Sequence, residues 1–333
     1  MNREIQLIKR PESTPNHDHL KILNTDTPQP EEEEVLLKTL YVSVDPYMRG
    51  RMNDVKSYVE PFKLHEPISG GVVAQVSDSK SSDFEKGDIV TGNLQWKEYV
   101  VSKANSLRKV DPTLGPVTTS LGVLGMPGLT AYFGLTDIGQ PKQGETLVVS
   151  GAAGAVGSAV VQIGKIYGCR VVGIAGTEEK TRYLSEELDV DVTINYKQQN
   201  VKNALEEACP QGVDIYFDNV GGDIADTVYP LLNKFARIVQ CGAISSYNIP
   251  NDQGPRLQMH LIKSSALIKG FTIGDYQDRF KEGFDHLSTW LKEGKLTYKE
   301  TFQEGFENIP DAFFGLFTGE NLGKQLVKVA NPE

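Results

Sequence analysis

The octapeptide SGAAGAVG, Ser150–Gly157, constrains this chain more than any other feature, because it lies between a β-branched run, ETLVVS (145–150), and a helix-forming one, AVGSAVVQIGKIYG (155–168). A strand that turns through small residues into a helix leaves main-chain N–H groups pointing outward at the helix N-terminus. A pyrophosphate can sit there when no side chain blocks its approach. Gly154 and Gly157 supply that clearance, with Ala155 and Val156 between them. Ala152 stands where the usual G-x-G-x-x-G has its first glycine, so the bare motif does not separate a cofactor turn from a strand packed closely on a helix.

The surrounding rhythm separates them. After the turn come strand RVVGIA (170–175), helical EEKTRYLSEEL (178–188), strand DVTIN (191–195), a polar helix ending near Cys209, strand VDIYFDN (213–219), a helix from Asp223, strand ARIVQCG (236–242) and a last strand LIKGFTI (267–273). Six strands with crossover helices specify a doubly wound parallel sheet, so the class is α/β and the domain Rossmann-like. The amphipathic RFKEGFDHLSTWLKEGK (279–295) closes it, with Gly294 near its end. Upstream, from Glu34 to about Lys109, short β-rich runs punctuated by turns (VLLKTLYVSVD, GGVVAQV, DIVTG, KEYVVS) predict an irregular β domain. The character changes at MPGLTAYFGL (126–135), and the final stretch, 298–329, reads as strand, helix and closing strand. We therefore expect a β-rich domain over 1–125, completed by 299–333, and a nucleotide-binding domain over 126–298. At 333 residues two cores are expected, since single cores stop growing near ~250–300 residues.

Charge and cysteine content narrow the function. Forty-four acidic against thirty-four basic residues give a net charge of −10, with no basic cluster, which opposes nucleic acid and anionic membrane as partners. The opening MNREIQLIKRPEST lacks a signal-peptide core, no apolar run is long enough to span a bilayer, and a cytoplasmic protein is expected. Three scattered cysteines, Cys169, Cys209 and Cys241, make neither a disulfide framework nor a zinc knuckle. The five histidines show no metal-ligand spacing with them, and no metal is expected.

About 20 residues past the glycine turn, an acid at the end of the second strand would bind the ribose 2′-hydroxyl of NAD. Here Ala175-Gly176-Thr177 offers none, and a 2′-phosphate can instead be received by Lys180, with Arg182 nearby and Tyr196 from the turn after the third strand. NADP(H) is the expected cofactor.

These segments, with VDPYMRGRM (44–52), INYK (194–197), YFDNVGG (216–222), CGAISSYN (241–248) and ENLGK (320–324), resemble in order the zinc-independent medium-chain dehydrogenases/reductases. Within them the match is to the prostaglandin reductases (leukotriene hydroxydehydrogenases), plant alkenal double-bond reductases and bacterial curcumin-reductase-like enzymes. The resemblance covers nearly the whole chain. The zinc enzymes of the wider superfamily carry a catalytic Cys, a Gly-His-Glu motif and a four-Cys lobe, none of which is found here.

The resemblance implies a GroES-like catalytic domain beside the Rossmann domain, and NADPH-dependent reduction of the C=C bond of α,β-unsaturated aldehydes and ketones. It places Gly154–Gly157 at the pyrophosphate, Lys180 and Tyr196 at the 2′-phosphate and Asn219 on the adenosine side. Cys241, Gly242, Ala243, Ile244, Ser245 and Tyr247, together with Phe271, Thr272, Ile273 and Asn321, would then line the nicotinamide end. Cys241, with no histidine close in sequence to activate it, reads as a small buried hydrophobe rather than a nucleophile. An enone's β-carbon accepts hydride when the charge forming on its oxygen is stabilised, so a donor is needed. Tyr247 is the expected catalytic donor, Tyr47 a catalytic and substrate-orienting hydroxyl, and Arg49 a contact to an anionic substrate or the cofactor. The family resemblance also implies a homodimer formed along LIKGFTI. Two rival readings share the fold: a zinc-less NADPH quinone oxidoreductase, and a protein that binds NADPH without turnover.

Overall fold

Alternating apolar residues in the first third of the chain pair as antiparallel strands. The computed structural model describes Met1–Glu333 and resolves two compact units, Met1–Leu121 with Glu300–Glu333, and Gly122–Lys299. In the first, β1 (Asn2–Leu7) pairs with β2 (Leu20–Thr25) as a separate two-stranded ribbon. Neither strand was anticipated from sequence. There follow β3 (Glu34–Ser43), the one-turn helix α1 (Met48–Arg51), β4 (Ser69–Ser79), β5 (Ile89–Gln95), β6 (Tyr99–Lys103) and β7 (Arg108–Lys109).

The second unit runs α2 (Met126–Phe133), β8 (Thr146–Ser150), α3 (Ala155–Ile166), β9 (Arg170–Ala175), α4 (Glu178–Arg182), β10 (Val192–Asn195) and α5 (Val201–Ala208). It continues with β11 (Val213–Asp218), α6 (Gly222–Val228), β12 (Leu232–Gln240), α7 (Gln258–Ser264), β13 (Leu267–Gly270) and α8 (Phe280–Lys292). The chain then returns to the first unit with β14 (Glu300–Glu304), α9 (Ile309–Thr318) and β15 (Lys324–Lys328).

The return completes the first unit's sheet, whose order is β14-β15-β3-β4-β5-β7, with β6 also on β3. It fills that core as well: Phe306 and Phe313 lie fully buried with Ile5, Leu37, Met48 and Trp96, and Phe313 meets Trp96 edge-on at 6.5 Å. In the second unit all pairings are parallel in the order β10-β9-β8-β11-β12-β13. The order reverses between β8 and β11, the switch point at which such sheets bind ligands beyond their carboxyl ends. Strand β8 reads TLVVS and is buried throughout, as a central strand covered on both faces must be. A Rossmann sheet and a β-rich GroES-like domain are thus both present.

Three details depart from the sequence pattern. Strand β12 starts at Leu232 rather than Ala236, because Phe235 takes φ +65° and turns outward, breaking the alternation. Strand β13 ends at Gly270, since Thr272 leaves the ladder to form a capping box with Asp275 on the 3-10 turn Ile273–Arg279. The helical run 178–188 divides into α4 and a π-helical turn, Tyr183–Glu187, that buries Tyr183 and Leu184.

Candidate functional site

The turn after β8 is built by close backbone approach. Gly151 takes φ +59°, and Ala152 N donates to Ile174 O at 3.0 Å. A Cβ on Gly157 would fall 2.3 Å from Gly151 O and 2.7 Å from Ala152 Cα, so only glycine lets α3 begin this close to the turn. Gly154 caps α3 in an extended conformation, no acidic residue occupies the helix's first turn, and the helix runs twelve residues. The N–H groups of Ala155, Val156 and Gly157 have no intrahelical acceptor, as in any first turn, and together with the helix dipole they suit a phosphate.

At the edge of this turn, β9 ends on Ala175 and Tyr196 N donates to Ala175 O at 3.1 Å. The Tyr196 ring lies on Gly176, where an added Cβ would meet a ring carbon at 2.8 Å. Lys197 Nζ stands 5.9 Å from that ring's centroid. Lys180, half-buried, is held below the usual lysine range by burial and then by the like charge of Lys197, with Glu179 opposing. Two ammonium groups close enough to repel, one of them beside the Tyr196 ring, and no carboxylate at the strand end suit a multiply charged anion such as a 2′-phosphate. Arg182 is exposed on α4.

The carboxyl end of β11 is organised by Asp218, a residue the sequence reading did not single out. Fully buried, it accepts from Ser150 Oγ (2.8 Å), Tyr216 Oη (2.9 Å), Val220 N (3.0 Å) and Gly221 N (2.9 Å) at Oδ1, and from Gln240 Nε2 (3.2 Å) at Oδ2. The carboxylate ties the ends of β8, β11 and β12 together across the switch point. Asn219 adds to this: its N donates to Ser150 Oγ (2.9 Å) and its Nδ2 to Ser150 O (2.8 Å).

The segment after β12 is stitched onto the same ends. Cys241 N and Gly242 N both donate to Asp218 O, at 2.9 and 3.0 Å, Ile244 N donates to Asn219 O, and Ser245 donates to Val220 O through N (3.1 Å) and Oγ (2.6 Å). Tyr247 folds back over this loop. Its Oη accepts from Ala243 N at 3.3 Å and lies as close as 3.3 Å to where a Cβ on Gly242 would be. The Cys241 thiol is pushed up to about 12 by burial and by Asp218, which keeps it protonated and unsuited to nucleophilic work. Phe271 packs edge-on to Tyr276 at 6.1 Å, and Thr272 spends its side chain on the Asp275 cap, so Thr272 and Ile273 offer main chain more than side chain.

In the first unit, Tyr47 caps α1 and packs against the core, its phenol raised well above the usual tyrosine range by burial and by Asp45, with Arg51 opposing. Arg49 is 2% exposed and donates to Asn53 Oδ1 (2.7 Å), Pro11 O (3.1 Å) and Ser13 O (3.0 Å). That geometry pins the N-terminal loop and departs from the expected ligand contact; Arg51 is the guanidinium beside Tyr47. Asn321 Nδ2 donates to Gly323 O at 2.8 Å, within its own turn. Lys324 forms a buried ion pair with Asp45 at 2.7 Å. No group of three or more His, Cys, Asp or Glu side chains could hold a metal ion.

Comparison with known proteins places this architecture. Residues 3–110 match the family model described as the N-terminal domain of oxidoreductase, and residues 155–289 that described as zinc-binding dehydrogenase. The zinc in that second description finds no donor set in this chain. The chain is 60% identical to the putative NADP-dependent oxidoreductase YfmJ of Bacillus subtilis, covering 99% of this chain and 98% of that one. It is 44% identical to the NADPH-dependent curcumin reductase of Escherichia coli (100% and 98% covered) and 41% identical to the NADP(+)-dependent 2-alkenal reductase of Nicotiana tabacum (89% and 88%). The crystal structure of CurA in complex with NADPH from Vibrio vulnificus matches with a TM-score of 0.95 at 44% identity, covering 99% of this chain and 100% of that one.

Proposed function

The chain belongs to the zinc-independent medium-chain dehydrogenase/reductase family, and from that premise we propose that it reduces the C=C bond of α,β-unsaturated aldehydes and ketones with NADPH. It is an NADP-dependent oxidoreductase of the curcumin, prostaglandin and alkenal reductase type. The observation that carries the finer reading is the Tyr247 phenol, held against the Gly242–Ala243 loop beyond the carboxyl ends of β11 and β12.

NADPH, when bound, supplies hydride. Gly154, Ala155, Val156 and Gly157 would hold its pyrophosphate on main-chain N–H groups, Lys180 and Tyr196 its 2′-phosphate, and Asn219 its adenosine side. Cys241–Ser245, Tyr247 and Phe271–Ile273 would border the nicotinamide, and the family resemblance adds Asn321. Tyr247 donates to the oxygen of the enone, stabilising the enolate charge that develops as the β-carbon is reduced, and relays a proton toward the α-carbon. Tyr47 orients the carbonyl, and burial keeps its hydroxyl protonated for that task. The first unit is the catalytic domain and the second the NADP-binding domain. We assign the protein to the cytoplasm as a homodimer joined along β13, an edge strand whose Leu267 is 53% exposed, while Met259 and Ile262 of α7 are 58% and 68% exposed. No helix is long and apolar enough to cross a membrane.

The test follows NADPH consumption with a 2-alkenal, a diarylheptanoid enone and a quinone. Turnover of the first two with saturated carbonyl products supports the reading. Turnover of the quinone alone, or of none, overturns it.

A further inference from the structure

A buried ion pair joins the VDPYMR and ENLGK segments, and the function proposed above makes no use of it. Lys324 and Asp45, 279 positions apart, are 4% and 6% exposed. Lys324 Nζ donates to Asp45 Oδ1 at 2.7 Å and to Val44 O at 2.9 Å, while Ser43 Oγ donates to Asp45 Oδ2 at 2.5 Å. One ammonium thus fixes a side chain and a main-chain carbonyl in the residues that lead into Pro46 and Tyr47. Proline locks its own φ, and Met48 N donates to Asp45 O at 3.1 Å, so the turn carrying Tyr47 starts on the residue Lys324 holds. Glu300 sits opposite Lys324 across the β14–β15 pair, with Oε2 accepting from Thr118 Oγ1 at 2.9 Å and Oε1 buried without a partner. Burial raises its pKa, with the Thr118 bond and the nearby Lys324 charge opposing.

Buried ion pairs add little net stability, because desolvating both charges offsets their attraction. What such a pair does supply is fixed geometry. We propose that Lys324 and Ser43, acting through Asp45, are positioning residues that hold Tyr47 in the orientation from which its hydroxyl meets the substrate carbonyl. The inference rests on the reading that Tyr47 contacts substrate.

A double-mutant cycle with Lys324→Met and Tyr47→Phe tests it, read as kcat/KM for a 2-alkenal and as NADPH affinity. Each single variant should lose about 10- to 100-fold in kcat/KM, the range expected when a substrate-orienting group is misplaced by an ångström or so. The double variant should be no slower than the slower single one, with NADPH affinity within about threefold of the parent throughout, because coupled residues are non-additive. Losses that multiply would overturn the inference while leaving the role of Tyr47 intact. Parent-like activity of Tyr47→Phe would overturn both. Should Lys324→Met not fold, Ser43→Ala enters the same cycle: a loss seen only where Tyr47 is present supports the proposal, and any other result overturns it.

Discussion

Replacing Gly157 with alanine adds one methyl group at the point where α3 meets the turn after β8. The new carbon would lie 2.3 Å from Gly151 O and 2.7 Å from Ala152 Cα, about an ångström inside normal contact. Both neighbours are main chain, so no side chain can swing away and the helix start or the turn must shift. Overpacking of this kind costs about 1–3 kcal/mol, and the rigidity of both partners points to the upper end. At about 2–4 °C per kcal/mol for a domain of this size, the midpoint should fall by about 5–10 °C. The same shift displaces the N–H groups that face the pyrophosphate, so NADPH affinity falls as well. Gly154→Ala is the control, because its Cβ would meet only Gly151 O, at 3.3 Å. It should leave the midpoint within about 2 °C of the parent, consistent with a surface change, yet weaken NADPH by crowding the phosphate. Differential scanning calorimetry and a fluorescence titration read both quantities. A Gly157→Ala protein as stable as the parent, or two variants equally destabilised, would refute the packing argument.

Two further outcomes follow from the site and its burial. Tyr247→Phe should slow enone reduction by about 10²- to 10⁴-fold if its proton is used, with NADPH binding unchanged, as stopped-flow single turnovers would report; parent-like rates would remove the donor role. Burial lifts the thiols of Cys169 and Cys209 to about 11 and of Cys241 to about 12, and the phenols of Tyr183 and Tyr229 to about 12, from ordinary values of 9.0 and 10.0. The folded state holds these protons more tightly than the unfolded one, so stability is full below about pH 9 and is lost as pH climbs toward the raised values. The urea midpoint should therefore hold up to about pH 9 and fall as pH climbs from there toward about 11, and a flat profile would contradict it.

Much of the second unit could be read from sequence because its signals are local. A β-branched run, a small-residue turn and a helix former sit within about twenty residues, and the missing acid after β9 is visible by inspection. What escaped depends on partners far along the chain. Asp218 looks like part of an ordinary strand-to-helix turn until Ser150, 68 positions away, and Gln240 are seen to donate to it. Lys324 reads as the last letter of a motif, and only the fold brings Asp45 to it. Arg49 has the chemistry of an anion contact, and only the path of the N-terminal loop shows that Pro11 and Ser13 occupy its guanidinium. Strands β1 and β2 escaped because charged residues interrupt them, their alternation showing only once Ile5, Leu7 and Leu20 are seen facing one core.

Selection of a phosphorylated nicotinamide nucleotide at Lys180 is the central claim about this enzyme. Titrate the parent protein and Lys180→Met with NADPH and with NADH, following quenching of tryptophan fluorescence. A charge-assisted bond from ammonium to phosphate is worth about 1.5–3 kcal/mol, so the parent should prefer NADPH by at least about tenfold and the variant should lose most of that preference with NADH binding unchanged. Equal affinity of the parent for both nucleotides, or a variant that keeps its full preference, would contradict the account.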